Sequence, residues 1–158
     1  MQWFFTVWLQ NYFVSNAIRD SVWIYAFDQA AHLISLAVFA GAILVVDMRL
    51  MGGGFRERPV AEVARDAQPW LVWSFIALVV TGTVQMMSNA TKEYFSPFFW
   101  FKMYVLLPAV IYTFTIRRKV AMAEEGRVPP LWSKAVGLVS IVLWTGVAVP
   151  ARLIGLLS

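Results

Sequence analysis

The chain contains no cysteine. Disulfides, thiolate metal sites and cysteine nucleophiles are therefore excluded. It contains one histidine, His32, so no pair of imidazoles within a single chain can hold a metal or a heme. Charge is scarce too: 14% of the 158 residues are Asp, Glu, Lys or Arg, and these are bunched between long apolar runs. No phosphate-binding loop, His–Glu zinc motif or nucleophile elbow occurs, and no internal repeat or low-complexity tract. The first twenty residues have no basic stretch ahead of their apolar part and no small-residue cleavage site, so they do not read as a signal peptide.

What is present is apolar. Hydrophobic residues make up 60% of the chain, where soluble domains hold about 45–50%. Mean hydropathy is +0.67. This is the composition of a polytopic membrane protein. A pI near 9.7 would suggest nucleic acid in a soluble protein, but here the basic residues lie at the ends of apolar segments and speak of topology instead.

Four segments reach the roughly 20 residues that a crossing needs. They cover about 22–46, 69–88, 98–116 and 131–149. The glycines at 52–54 should stop the first. Pro69 suits a first helical turn and should open the second, with 59–66 forming two separate turns of polar surface helix. Pro108 and Pro150 should kink or break their helices. Residues 3–14, with Trp3, Phe4, Val7, Trp8 and Phe13 against Gln10 and Asn11, read as an amphipathic helix lying in the interface. The expected fold is a single all-α domain over 1–158, a four-helix bundle running up-down-up-down.

Basic residues divide unevenly between the two ends. Arg49, Arg56, Arg58, Arg65, Arg117, Arg118, Lys119, Arg127 and Lys134 lie on one side; Arg19, Lys92, Lys102 and Arg152 lie on the other. The richer side should be cytoplasmic. Both termini then face outward, which in a bacterial inner membrane means the periplasm.

The first span carries the chemistry. Tyr25, Asp28, Gln29, His32 and Ser35 fall on one stripe at helical spacing. An ionisable residue inside hydrocarbon is costly and marks a candidate site. At 1.5 Å per residue Asp28 lies about 9 Å down and His32 about 15 Å, near the midplane. Thr81, Thr83 and Gln85 of the second span fall in the same half, as do Tyr104 and Trp144, with Lys102 and Arg152 just above. Past Phe39 the other half shows few polar residues. Asp47 and Arg49 read as a boundary anchor or a local ion pair.

Lys102 and Arg152 above a buried Asp and His can hold the carboxylates of a cofactor such as heme, receive an anionic substrate, or snorkel to the interface. Asp28 and His32, one turn apart, suit a proton relay and equally a self-satisfied pair that locks helix packing. A heme on His32 would need a second histidine from a symmetric dimer, a five-coordinate iron, or a methionine at the same depth. No methionine lies there.

The runs IYAFDQAAH, VVDMRLMG, QPWLVWSF, YFSPFFWFK and VPARLIGLL resemble a family of small bacterial inner-membrane proteins with four spans and no known function. The resemblance covers nearly the whole chain. The family pattern has an acidic residue where Gln29 stands and a second histidine where Arg117 stands. A looser similarity runs to copper-resistance D-type and cytochrome-b-type four-helix proteins, at the level of fold alone.

Two functional classes are expected from these residues. One is a redox or proton-coupled membrane subunit, with heme b or a quinone bound in an outer-half cavity by Tyr25, Asp28, Gln29, His32, Lys102, Tyr104 and Arg152. The other is a non-enzymatic component for assembly or transport. Aromatic residues at 16% in so small a bundle should face lipid or a partner, which favours a homo-oligomer or a larger complex.

Overall fold

The computed structural model describes residues 21–53, 57–88, 94–123 and 127–157. The expected interfacial helix at 3–14 lies outside the described residues. Among the described residues every regular element is helical. Helix α1 spans Val22–Leu50 and α2 Val60–Ser88. The third span is composite: α3 over Pro97–Tyr112, a π-helical turn over Thr113–Arg117, and α4 over Arg118–Ala121. Helix α5 spans Pro130–Leu157. All four spans are long and apolar enough to cross a membrane. The protein is a multi-pass membrane protein built as a four-helix bundle.

The helix ends follow from local chemistry. Ser21 caps α1, its hydroxyl accepting from the Ile24 N–H at 3.4 Å. Gly52 closes the helix with φ +84°, a conformation that a side chain disfavours, and the Gly53 N–H returns to the Met48 carbonyl at 2.9 Å. Pro97 starts α3 behind Ser96.

The prolines inside the spans behave differently from expectation. Pro69 does not open α2, which begins at Val60 and runs straight through it. The polar turns at 60–66 and the apolar span are one helix. The carbonyl that Pro69 leaves without an N–H partner belongs to Arg65, an exposed residue at the polar end, where water can reach it. Pro150 does not break α5 either. Pro108 stays within α3, and the helix departs from α geometry five residues later, at the π-turn. Such turns are rare and recur at functional positions.

The helices pair as two antiparallel hairpins. Helix α1 packs along α2, α3 along α5, and α1 meets α5 across the bundle. The packed interior lies in the middle and toward the end that carries the 50–60 and 121–130 loops. Near that end Val46, Leu50, Val63, Ala64, Ala121 and Val136 form one cluster. In the middle Phe39, Ala42, Ile43 and Leu71 form a second, against Phe75, Phe114 and Trp144. Phe39 is 1% exposed; its ring meets Trp144 edge-on at 4.6 Å and Phe75 at 5.8 Å. Between spans in lipid, such packing supplies most of the association energy, because burial from water does not. The opposite half is looser: from Trp23 to Val38, α1 has no buried side chain.

Candidate functional site

His32 is positioned by α2. Its Nδ1 lies 2.7 Å from Thr81 Oγ1. The Thr81 oxygen also lies 2.7 Å from the Ala77 carbonyl one turn back. A hydroxyl has one proton, and the carbonyl can only accept, so the Thr81 proton goes to Ala77. We therefore assign the imidazole proton to Nδ1, donating to Thr81. In the neutral ring this leaves Nε2 as a bare lone pair, able to accept a proton or a hydrogen bond. Gly82 faces the ring at close range: a Cβ there would sit in van der Waals contact, 3.4 Å from His32 Cε1.

The antiparallel register set by His32 and Thr81 puts Asp28 and Gln85 at one level, a turn further from the midplane. Both carry a buried polar atom with no hydrogen-bond partner among the described residues: Asp28 Oδ2, an acceptor, and Gln85 Nε2, a donor. Buried polar groups left so are uncommon and call for a reason. The charges of Lys102 and Asp28 both lie within electrostatic reach of the His32 ring. The site is therefore four residues on two helices, with one ammonium in range.

The other expected members stand apart. Along the α1 stripe Asp28, His32 and Ser35 are half-buried, while Tyr25 and Gln29 are exposed at its rim. Ser35 turns its hydroxyl back to the Ala31 carbonyl at 2.8 Å. Tyr104 is 74% exposed, on the outside of α3. Arg152 belongs to the last stretch of α5. Counting places Thr81 and Gln85 at this depth, but nothing in the sequence selects them, or Gly82, as neighbours of His32.

A second polar centre lies at the opposite end of the bundle, where few polar residues were expected. Asp47 is not a boundary anchor: it is 0% exposed and paired with Arg117, itself 4% exposed. Arg117 Nε donates to Asp47 Oδ1 at 2.6 Å, and its second nitrogen to the Ile43 carbonyl at 3.0 Å. Arg117 is thus no loop charge either, and the basic count falls to eight against four. Ser140, also 0% exposed, stands by Asp47; Ser140 Oγ and Asp47 Oδ2 have no partner that meets hydrogen-bond geometry.

Among the described residues two of the grooves lie between paired helices. One, of about 370 Å³, lies between α1 and α2 near Gly41, Ala67 and Trp70; the other, of about 520 Å³, lies between α3 and α5 near Phe98, Gly146 and Pro150. Neither is lined by His32. Among the described residues no group of three or more His, Asp or Glu side chains gathers to hold a metal ion. Within a single chain the site offers one imidazole to a metal, and neither of these grooves opens on it.

The sequence model of a family of unknown function, DUF6644, matches residues 4–157. The chain belongs to the DUF6644 family. No curated protein and no solved structure matches it. Membership agrees with the resemblance drawn from the sequence runs, and it assigns DUF6644 proteins no chemistry. The site has to be argued from its own atoms.

Proposed function

We propose that this protein is a proton-coupled membrane subunit whose His32 site takes the head of a quinone-type ligand. The observation that supports this is the pinned imidazole: Nδ1 is committed to Thr81, leaving Nε2 open, with an unpartnered acceptor on Asp28 and an unpartnered donor on Gln85 one turn away. A quinone head complements that set. Its carbonyl accepts from Gln85 Nε2, and in the reduced form its hydroxyl donates to His32 Nε2 or to Asp28. An apolar tail lies in the lipid beside the loosely packed half of α1. His32 accepts the hydroxyl proton at Nε2, where the ring lone pair is open, with the Asp28 carboxylate one turn away. On the loop-charge asymmetry the site faces the periplasmic half of a bacterial inner membrane, with both termini outside.

The exposed Gln29, a polar side chain on the lipid-facing rim of a span, favours a second reading alongside the first. It is a contact position in a homo-oligomer or a larger complex, and on that reading the chain is an assembly component.

The test is a calorimetric titration of purified protein in detergent with a short-tailed quinone. Saturable binding, lost in the Asp28→Leu/His32→Phe double variant, supports the ligand reading. Non-saturable partitioning, equal binding by the variant, or a Soret band in the purified protein would overturn it.

A further inference from the structure

The two polar centres lie on opposite sides of one aromatic layer. His32 and Asp47 are both on α1, fifteen residues apart, which is about 22 Å along the axis. Between them sits Phe39, the largest of the described side chains buried below 2% exposure, closed in by Trp144 and Phe75, with Phe114 behind Phe75 at 5.3 Å. Among the described residues the layer carries one polar thread. Trp144 Nε1 donates to Thr113 Oγ1 at 3.0 Å, and that hydroxyl donates to the Ala109 carbonyl at 2.8 Å. Thr113 opens the π-turn that ends in Arg117.

An ion pair buried in a bundle of this size is a costly way to hold helices together, since well-packed apolar residues do it as well or better. Here the cost is raised further. Asp47 Oδ2 has no partner within strict hydrogen-bond geometry, and the neighbouring Ser140 hydroxyl supplies its one interaction, a weak one. Arg117 is always charged. Asp47 is therefore the member of the pair that can change its protonation state, and Oδ2 is the atom open to do so.

We infer that Asp47, with Arg117 and Ser140, is a second proton-exchange station, and that the Phe39 layer is the barrier separating it from the His32 station, so that the bundle can carry protons across the membrane. This rests on the reading of His32 as a proton acceptor. At the inner station a hydronium ion gives its proton to Asp47 Oδ2, leaving one water molecule and a neutral acid beside Arg117; the reverse step returns the proton to water. The layer holds the two stations apart because its rings pack against one another and its polar thread ends at the Ala109 carbonyl rather than at either station.

The experiment uses the full chain in vesicles of phosphatidylethanolamine and phosphatidylglycerol. A pH-sensitive dye is trapped inside and a potassium diffusion potential drives proton entry. Phe39→Ala, which opens the layer to water, should raise the flux about tenfold over the wild type. Adding Asp47→Asn with Arg117→Gln to Phe39→Ala removes both inner charges together, strands neither, and should return the flux to that of empty vesicles. Size-exclusion profiles and thermal melts confirm that each variant is folded. A Phe39→Ala flux no higher than wild type would overturn the inference, as would a flux that survives loss of the Asp47–Arg117 pair. Quinone titration of the same preparations reads the His32 site alone, so failure of the transport reading and failure of the ligand reading are told apart.

Discussion

Arg117 and Asp47, seventy residues apart in the chain, meet at 2.6 Å in a place where neither reaches solvent. The pair ties the π-turn of the third span to the last turn of α1, and a second guanidinium bond to the Ile43 carbonyl fixes its angle. Removing one partner leaves a lone buried charge. Asp47→Leu or Arg117→Met alone should cost about 3–5 kcal/mol, whereas the two together should be near neutral or stabilising. Denaturant titration in mixed micelles, read as a double-mutant cycle, checks this. Equal losses in single and double variants would mean that the pair contributes nothing beyond its volume.

That contact shows where sequence reasoning stopped. Long apolar runs made the four spans legible, because crossing a bilayer imposes a minimum length and forbids charge. The stripe on α1 was legible because helical spacing gathers it on one face. Pairings across helices were not. Asp47 looked like a boundary residue because it stands two positions from Arg49 and five from Gly52. Arg117 looked like loop because Arg118 and Lys119 follow it. His32 with Thr81 was visible in depth but not in azimuth: counting rise per residue places two side chains at one level without saying whether they face each other. The start of α2 was missed because Pro69 reads as a helix opener, and only its position at the wet end of the span lets the helix pass through it.

Gly82 offers a graded test of the His32 geometry. A Cβ at 3.4 Å from Cε1 makes ordinary van der Waals contact, so Gly82→Ala should leave the imidazole in place. Gly82→Leu should push the ring off Thr81. The proton on Nδ1 is then no longer held there, and nitrogen NMR of labelled histidine should shift from a single Nδ1–H tautomer toward a mixture. A spectrum unchanged in Gly82→Leu would mean that α2 does not hold the ring.

Topology rests on the basic residues that remain outside the bundle once Arg117 is set aside. A reporter active only in the periplasm, fused at the C-terminus, should be active; fused within residues 118–127 it should be silent. The opposite pattern would invert the assignment of both ends and place His32 in the cytoplasmic half.

The exposed rim of α1, with Trp23, Phe27 and Gln29, bears on assembly. If Gln29 is a contact between copies, native mass spectrometry from mild detergent should show an oligomer, and Gln29→Leu should shift it toward monomer. Monomer alone across a range of concentrations would remove the homo-oligomer.

The decisive variant at the outer site is Asp28→Leu with His32→Phe. Single replacements of buried partners usually confuse function with stability, because each strands the other. Here the bookkeeping is simpler than usual. Thr81 already gives its proton to Ala77, so losing His32 deprives it only of a donor. Asp28 Oδ2 has no partner among the described residues to strand, and Gln85 Nε2 is no worse off than before. The double variant therefore removes an acid and a base without adding an unsatisfied donor. It loses one interhelical hydrogen bond, worth about 0.6 kcal/mol within a membrane, and gains apolar packing. Its melting temperature in detergent should stay close to wild type while quinone binding and growth complementation are lost. A double variant that melts normally and functions fully would show that Asp28 and His32 serve packing alone. One that fails to fold would show that the polar stripe holds α1 against α2, and that the open Nε2 is incidental to it.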